Sequence, residues 1–476
     1  MTTVLAPVTG RPIRDVDDAT AADVERAYAK AAGALPDWQA LTATERGRIL
    51  CDVGRLMYER AEQIARLEAE NTGKRLADTL REAQRAAGCF EYYGGYADKV
   101  TGTVIPASSE HFVYTTREPY GIVVGVIPWN VPYFFAAKKI APALAFGNVV
   151  LLKPAAETPL SALALRDIMT EVGVPDGVAQ ILTGGPEVGR MLVNDPRTSL
   201  VVFTGSDRSG GAVGAAAAAH FAPSALELGG KSPQLVFADA DLDAAVDGVA
   251  EGAMGACGQM CIAGSRVFVQ QAVYDEFARR LADRVSGLLV GDPLRPETEV
   301  GPQVTRAQAD KSLDFIDLGV ADGGEILAQA QLSGDPRLAG GFFVPPTLFA
   351  GLPSTSRLLA EEVFGPVTAI APFGDEADAV RLAHETDFGL AAGVWTGDVG
   401  RAHRIAGKLR VGTVWVNTYR ILSDLVPFGG VGRSGYGREG GTDAVNLYTW
   451  TRSVWIAHQP GLAAGYRHPH EEGVDT

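Results

Sequence analysis

Between residues 110 and 220 the chain alternates short β-branched runs with helical stretches. Strand-like runs at 112–116, 122–127 and 149–152 lead to a helix over 158–172. A strand at 178–182, a short helix from Glu187, a strand at 200–203 and an Ala-rich helix to about Ala219 continue the series. Strands separated by helices are joined by crossovers and not by hairpins, which predicts a parallel sheet covered on both faces. A second α/β series begins near Gly230, with strands expected at 234–237, 266–270, 367–373, 393–396 and 412–416.

Ahead of the first sheet, residues 20–99 read as helices. Thr42-Ala-Thr-Glu45 has capping-box spacing, and Ile49, Leu50, Val53, Leu56, Met57, Ile64 and Leu67 follow near-helical spacing up to Asn71-Thr-Gly73. This pattern predicts one amphipathic helix lying on a sheet face. At roughly 100–200 residues per domain, 476 residues allow about two to four domains. The polar stretch 460–476 is expected to be a loose tail.

A net charge of −15 argues against a nucleic-acid or anionic-membrane partner, both of which call for a basic footprint. No apolar run approaches the ~18 residues of a membrane span. Residues 1–14 lack the apolar core of a secretory signal, and the four cysteines are too sparse for a disulfide framework. A cytoplasmic protein is expected.

An ordinary free cysteine is a small core hydrophobe, and that reading suits Cys51, Cys89 and Cys257. Cys261 differs because Gly258-Gln-Met-Cys261-Ile-Ala-Gly264 flanks it with glycines just before a strand, where backbone N–H groups can approach a reacting atom. Cys257 has no further Cys or His at zinc spacing, so no metal is expected. Glu227 ends a short strand and meets Gly229-Gly230, a turn that can aim a carboxylate into a cleft, although an isolated Glu is commonly a surface charge. Asn130, between Pro128 and Pro132, has a stiff backbone and an amide able to donate to an oxyanion, or is an ordinary turn residue. Lys153 and Phe203-Thr-Gly-Ser206 each follow a strand, where open parallel sheets bind ligands. The spacing Gly205 to Gly210 is not a Gly-x-Gly-x-x-Gly fingerprint.

Together these segments resemble the NAD(P)-dependent aldehyde dehydrogenase superfamily over about residues 8–457. The motifs are Pro128-Trp-Asn130, Lys153-Pro, Phe203-Thr-Gly-Ser206, Glu227-Leu-Gly-Gly-Lys-Ser-Pro233, Gly258-Gln-Met-Cys261, Glu361-Glu-Val-Phe-Gly-Pro366 and Pro427-Phe-Gly-Gly430, in the family's order. The resemblance implies an α/β fold with a Rossmann-type cofactor domain (1–99 and 119–229) and an α/β catalytic domain (230–428). It adds a small β oligomerisation element (100–118 and 445–458), and hence a homodimer or homotetramer. It also implies Cys261 as nucleophile, Glu227 as general base, and an oxyanion hole from the Asn130 amide and the Cys261 N–H. Cofactor contacts carried over are Ile127, Pro128 and Trp129 as walls, Lys153 at the adenosine ribose, and Gly185, Pro186, Gly189 and Ser206 at adenine and pyrophosphate. Glu362 and Phe364 belong to the nicotinamide end, with Ala156, Phe203 and Leu228 completing the set.

Many NAD-preferring members carry a Glu three residues after the Lys; here that position is Ala156, with Glu157 displaced by one. NAD is expected, with NADP open. On the substrate side the resemblance points to Lys138, Phe134, Met260, Ile262, Arg420, Leu422 and Phe428. The two cations suggest an aldehyde bearing a carboxylate, or an aromatic aldehyde, unless Lys138 snorkels to solvent and Arg420 pairs with Asp424. The expected reaction oxidises an aldehyde to its acid through a Cys261 thioester. The alternatives are a CoA-acylating semialdehyde dehydrogenase, which Glu227 opposes, and a catalytically idle structural protein on this scaffold. A papain-like hydrolase is disfavoured because Cys261 lacks that family's local signature.

Overall fold

In the computed structural model, which describes residues 1–458, the strand-like runs of the first half form one sheet. Its order is Gly435–Tyr436, Ser224–Glu227, Leu200–Thr204, Ile122–Val126, Val149–Lys153, Ala179–Ile181. From Ile122–Val126 the chain first builds outward to one side and then crosses to pair Leu200–Thr204 on the other. That reversal is a topological switch point, and ligands of open α/β sheets bind outside the carboxyl ends of the strands there. Val123, Val124, Leu151, Leu152, Val201 and Val202 are fully buried, as expected for strands covered on both faces.

The second sheet runs Glu325–Gln329, Thr347–Ala350, Val367–Phe373, Arg266–Gln270, Pro233–Val236, Ala391–Trp395, Thr413–Val416. All its neighbours are parallel except the edge strand Glu325–Gln329. A third, antiparallel sheet joins Thr449–Ala457, His111–Pro119 and Val104–Ser108. The α/β class follows from the two larger sheets.

The helical region departs from the sequence reading in two respects. The Thr42 capping box forms as expected: Glu45 N–H donates to the Thr42 hydroxyl, and Thr42 N–H donates to the Glu45 carboxylate. The helix it starts, however, ends at Glu59, and a second runs Ala61–Thr72, because Arg60 leaves helical geometry at φ −99°, ψ 7°. Nor does the first of these lie on a sheet; it packs on the helix Leu76–Tyr96, leaving Ala21–Ala40 to cover the strands.

Three further elements differ from expectation. A hairpin of Thr2–Ala6 and Arg11–Val16 precedes the helices and reaches the second half of the chain, where Phe342 N–H donates to Pro7 O. Residues 445–448 belong to the helix Asp443–Tyr448, so the last strand starts at Thr449. The short strand Gly435–Tyr436 returns to the first sheet and pairs with Ser224–Glu227. Among the described residues no helix is long and apolar enough to cross a membrane. The tail expected over 460–476 lies outside the described residues.

Candidate active site

A cleft of about 770 Å³ opens at the switch point. It is lined by Ile127, Pro128, Trp129, Asn130, Lys153, Ala156, Pro186, Gly189, Phe203, Ser206, Glu227, Leu228, Cys261, Glu362 and Phe364, so three catalytic candidates and twelve cofactor candidates share one cavity. Gly185 is the exception: it caps the helix Pro186–Asn194 one residue behind the lining. Two helices start at this cleft, Pro186–Asn194 and Asp207–Ala218, and their free N–H groups and dipoles suit a pyrophosphate. In the second, Ser206 is the N-cap and accepts from Ser209 N–H, while Gly210 lies in the first turn.

Close packing fixes the reacting end. Ala256, Cys257 and Gly258 have φ of 51°, 62° and 68°, three left-handed residues in succession that turn the chain toward Cys261. A Cβ on Gly258 would lie 2.2 Å from Gly365 O, so this turn rests directly on the loop that carries Glu362 and Phe364. A Cβ on Gly230 would lie 2.6 Å from Cys261 O, which brings the Glu227 turn equally close. Asn130, buried, donates from Nδ2 to Gln259 O at 2.8 Å, and the same nitrogen reaches Met260 Sδ at 4.0 Å, the weaker of the two contacts.

The electrostatics are those of a dry site. Glu227 is 3% exposed and neither carboxylate oxygen has a hydrogen-bond partner. Burial first, and then the Glu439 carboxylate, push its pKa up to about 8. The Cys261 thiol, half-buried, is pushed up to about 12 by burial and by the charges of Glu362 and Glu227. Glu362 accepts from Gly230 N–H at 3.1 Å, and burial raises it to about 7. Burial lowers the Lys153 ammonium, opposed by Glu157 and Asp18. Trp129 and Phe364 meet edge to face, centroids 5.1 Å apart, with Phe364 held at φ 59°.

Several groups here were not foreseen. Lys139 donates to Thr204 Oγ1 at 2.7 Å and pairs with Glu439, both fully buried beside Glu227. Two adjacent lysines, Lys138 and Lys139, inside the otherwise apolar helix Pro132–Ala145 were the available signal. Glu157, discounted because it is displaced by one position, lines the cleft next to Ala156. Tyr419 stacks edge-on to Trp415, 4.8 Å between centroids, and donates to Ile262 O at 2.8 Å.

On the substrate side, the structure fixes the partners of both cations. Lys138 does not snorkel to solvent: it is 7% exposed, lies 3.5 Å from Glu439, and its ammonium sits 4.8 Å from the Phe428 ring centroid. Arg420 pairs with Glu251 and not Asp424, donating to its carboxylate and carbonyl at 3.0 Å each, so it is already committed. Ile262 is buried in a cluster with Leu390, Ala391 and Trp415, against which Met260, Cys261, Tyr419, Leu422 and Phe428 pack half-buried. None of Lys138, Phe134, Met260, Ile262, Arg420, Leu422 and Phe428 lines the cofactor-side cleft, whereas Phe135 does. Of the cysteines read as core, Cys89 and Cys257 are buried, but Cys51 is only half-buried, at a helix contact with Gly94.

Over residues 1–454 the chain matches the aldehyde dehydrogenase family. It is 43% identical over 458 residues to a betaine aldehyde dehydrogenase of Cereibacter sphaeroides, covering 96% of this chain and 94% of that one. Among solved structures, PnpE from Pseudomonas sp. WBC-3 is 39% identical with a TM-score of 0.94, covering 99% and 96% of the two chains. Betaine aldehyde dehydrogenase of Staphylococcus aureus in complex with NAD+ is 34% identical with a TM-score of 0.94, covering 97% and 92%.

Proposed function

Because this chain belongs to the aldehyde dehydrogenase family, we propose how its residues divide the work of the NAD-dependent aldehyde oxidation it catalyses. The single observation that carries the assignment is the convergence of Cys261, Glu227 and Asn130 on the cleft at the switch point. Cys261 attacks the aldehyde carbon as the thiolate, its proton having passed to solvent, and the oxygen that becomes negative takes hydrogen bonds from Asn130 Nδ2 and the Cys261 N–H. This matters because an aldehyde C–H yields hydride poorly until its carbon is tetrahedral and electron-rich. NAD, when bound, accepts that hydride. The substrate is left as a thioester on Cys261; Glu227 removes a proton from an attacking water, the C–S bond breaks, and a carboxylic acid leaves.

The buried Glu227 supports water over CoA as the acyl acceptor, since water must lose its proton as it attacks, whereas a CoA thiol can attack already ionised. Lys153, Pro186, Gly189 and Ser206 hold the adenosine and pyrophosphate, with Glu362 and Phe364 at the nicotinamide end and Ile127, Pro128 and Trp129 as walls. The cofactor domain is 1–99 with 119–229, and the catalytic domain 230–428. The antiparallel sheet supports a homodimer or a tetramer of dimers: Phe112 and Ile456, directly paired across two strands, are exposed together on one of its faces, which a second copy would cover. Four free cysteines support a cytoplasmic location.

The relatives' names offer betaine aldehyde, a trimethylammonium aldehyde, as a substrate. Lys138, whose charge acts on both Cys261 and Glu227, speaks against a cation in this site. The test is NADH production from a panel of aldehydes by the purified enzyme and by Cys261→Ala. The wild type turns over and the variant does not; turnover by the variant would reject Cys261.

A further inference from the structure

Arg85 carries a charge that the site described above does not use. It projects from the helix Leu76–Tyr96, and its guanidinium carbon lies 4.2 Å from the centroid of the Phe134 ring. Among the described residues the only carboxylate within ion-pair range is Asp424, at 3.9 Å, too far for a hydrogen bond. Its Nε is buried without a partner. A guanidinium is a flat fork of five donors suited to bidentate capture of a carboxylate, and here that fork is unfilled.

Lys138 stands one helical turn from Phe134, and positions i and i+4 share a helix face. Arg85 over Phe134 and Lys138 over Phe428 therefore make two cationic steps along one face of the helix Pro132–Ala145. The inner step is felt by Cys261 and Glu227, and Asp424 feels both. Glu439 is shared by Lys138 and Lys139, and burial keeps Glu227 protonated near neutral pH. Three cations, Arg85, Lys138 and Lys139, thus have two carboxylates between them within ion-pair range among the described residues, Asp424 and Glu439. An anionic guest completes the balance, and a trimethylammonium guest worsens it.

We propose that Arg85 determines specificity: with Lys138 it takes the carboxylate at the remote end of an aldehyde substrate, displacing Asp424 as its counter-ion. The proposal rests on Cys261 being the reacting end.

The experiment compares kcat/KM with NAD for three matched pairs: 4-oxobutanoate and pentanal, 6-oxohexanoate and heptanal, 4-carboxybenzaldehyde and 4-methylbenzaldehyde. The wild type favours the carboxylate member of at least one pair. Arg85→Met, which keeps an apolar stem on Phe134, lowers that preference about tenfold or more. Asp424→Asn, which frees the fork, raises it, whereas a merely structural Arg85–Asp424 contact would make both variants fall together. A wild type preferring the neutral member of every pair would overturn the proposal while leaving the reading of Cys261 intact. So would a preference in Arg85→Met within about twofold of wild type, or a fall in Asp424→Asn. Failure to oxidise any of the aldehydes would overturn both.

Discussion

Gly230 packs against Cys261 so closely that a Cβ on the glycine would sit 2.6 Å from the Cys261 carbonyl oxygen. Leu390 Cβ, at 3.2 Å, closes the other side. Gly230→Ala must therefore push the backbone that positions the thiol. We expect a modest stability loss of about 1–3 kcal/mol and a loss of kcat/KM on the order of a hundredfold. Thermal melting and steady-state NADH formation measure the two effects separately, and wild-type turnover in this variant would show that the contact does not set the sulfur's position.

Burial of Glu227 makes both rate and stability depend on pH, in opposite directions. Its carboxyl holds a proton in the folded chain up to about 8, while an unfolded Glu ionises near ~4.3. Between those values the folded state binds the extra proton, so the stability from this group is full below the lower value and lost as pH rises through the upper one. As a base, Glu227 works only when ionised, so thioester hydrolysis should speed up over the same range. Glu227→Gln should flatten both limbs: its melting temperature, relative to wild type, is expected to be higher at about pH 9 than at about pH 5. An unchanged pH–rate profile would remove Glu227 from the base role.

Glu157 places a carboxylate in the cleft where Ala156 offers none, and its charge acts on Lys153. A 2′-phosphate at that end would be repelled. Glu157→Gln should raise kcat/KM with NADP relative to NAD by about tenfold, read from initial rates with each cofactor. A ratio that does not move would mean that Glu157 points away from the bound ribose.

The parts of this molecule legible in its sequence are those that local pattern decides. Arg266–Gln270 and Val367–Phe373 have the bounds read from their β-branched runs, and the Thr42 cap followed from its spacing. The break at Arg60 was invisible because neither Gly nor Pro marks it; tertiary packing against Leu76–Tyr96 turns the chain there. The N-terminal hairpin was missed although Gly10, at φ 70°, supplies its turn. Asn130, Lys153, Phe203, Ser206 and Glu227 could be placed because they lie at or just after strand ends, whereas Cys261, Glu362 and Phe364 precede strands and were placed by motif. Arg85, Lys139 and Glu439 could not, since an Arg on an amphipathic helix reads as surface and a Glu near a glycine-rich turn reads as solvated. Their roles come from which chain segments meet around Phe134 and Glu227, and one sequence does not record that. Arg420 and Lys138 show the same limit from the other side: both cations could be picked out in the sequence, but their partners, Glu251 and Glu439, lie far away in it.

The most direct test of the account is to trap the acyl group. Glu227→Gln, given an aldehyde it can oxidise and NAD, should release about one equivalent of NADH per active site in a burst and then stall. Intact mass should then show the enzyme heavier by the acyl group, and peptide mapping should place it on the segment containing Cys261. A burst with no adduct, or an adduct on Cys257, would contradict the assignment of Cys261 as the nucleophile and Glu227 as the base that frees it.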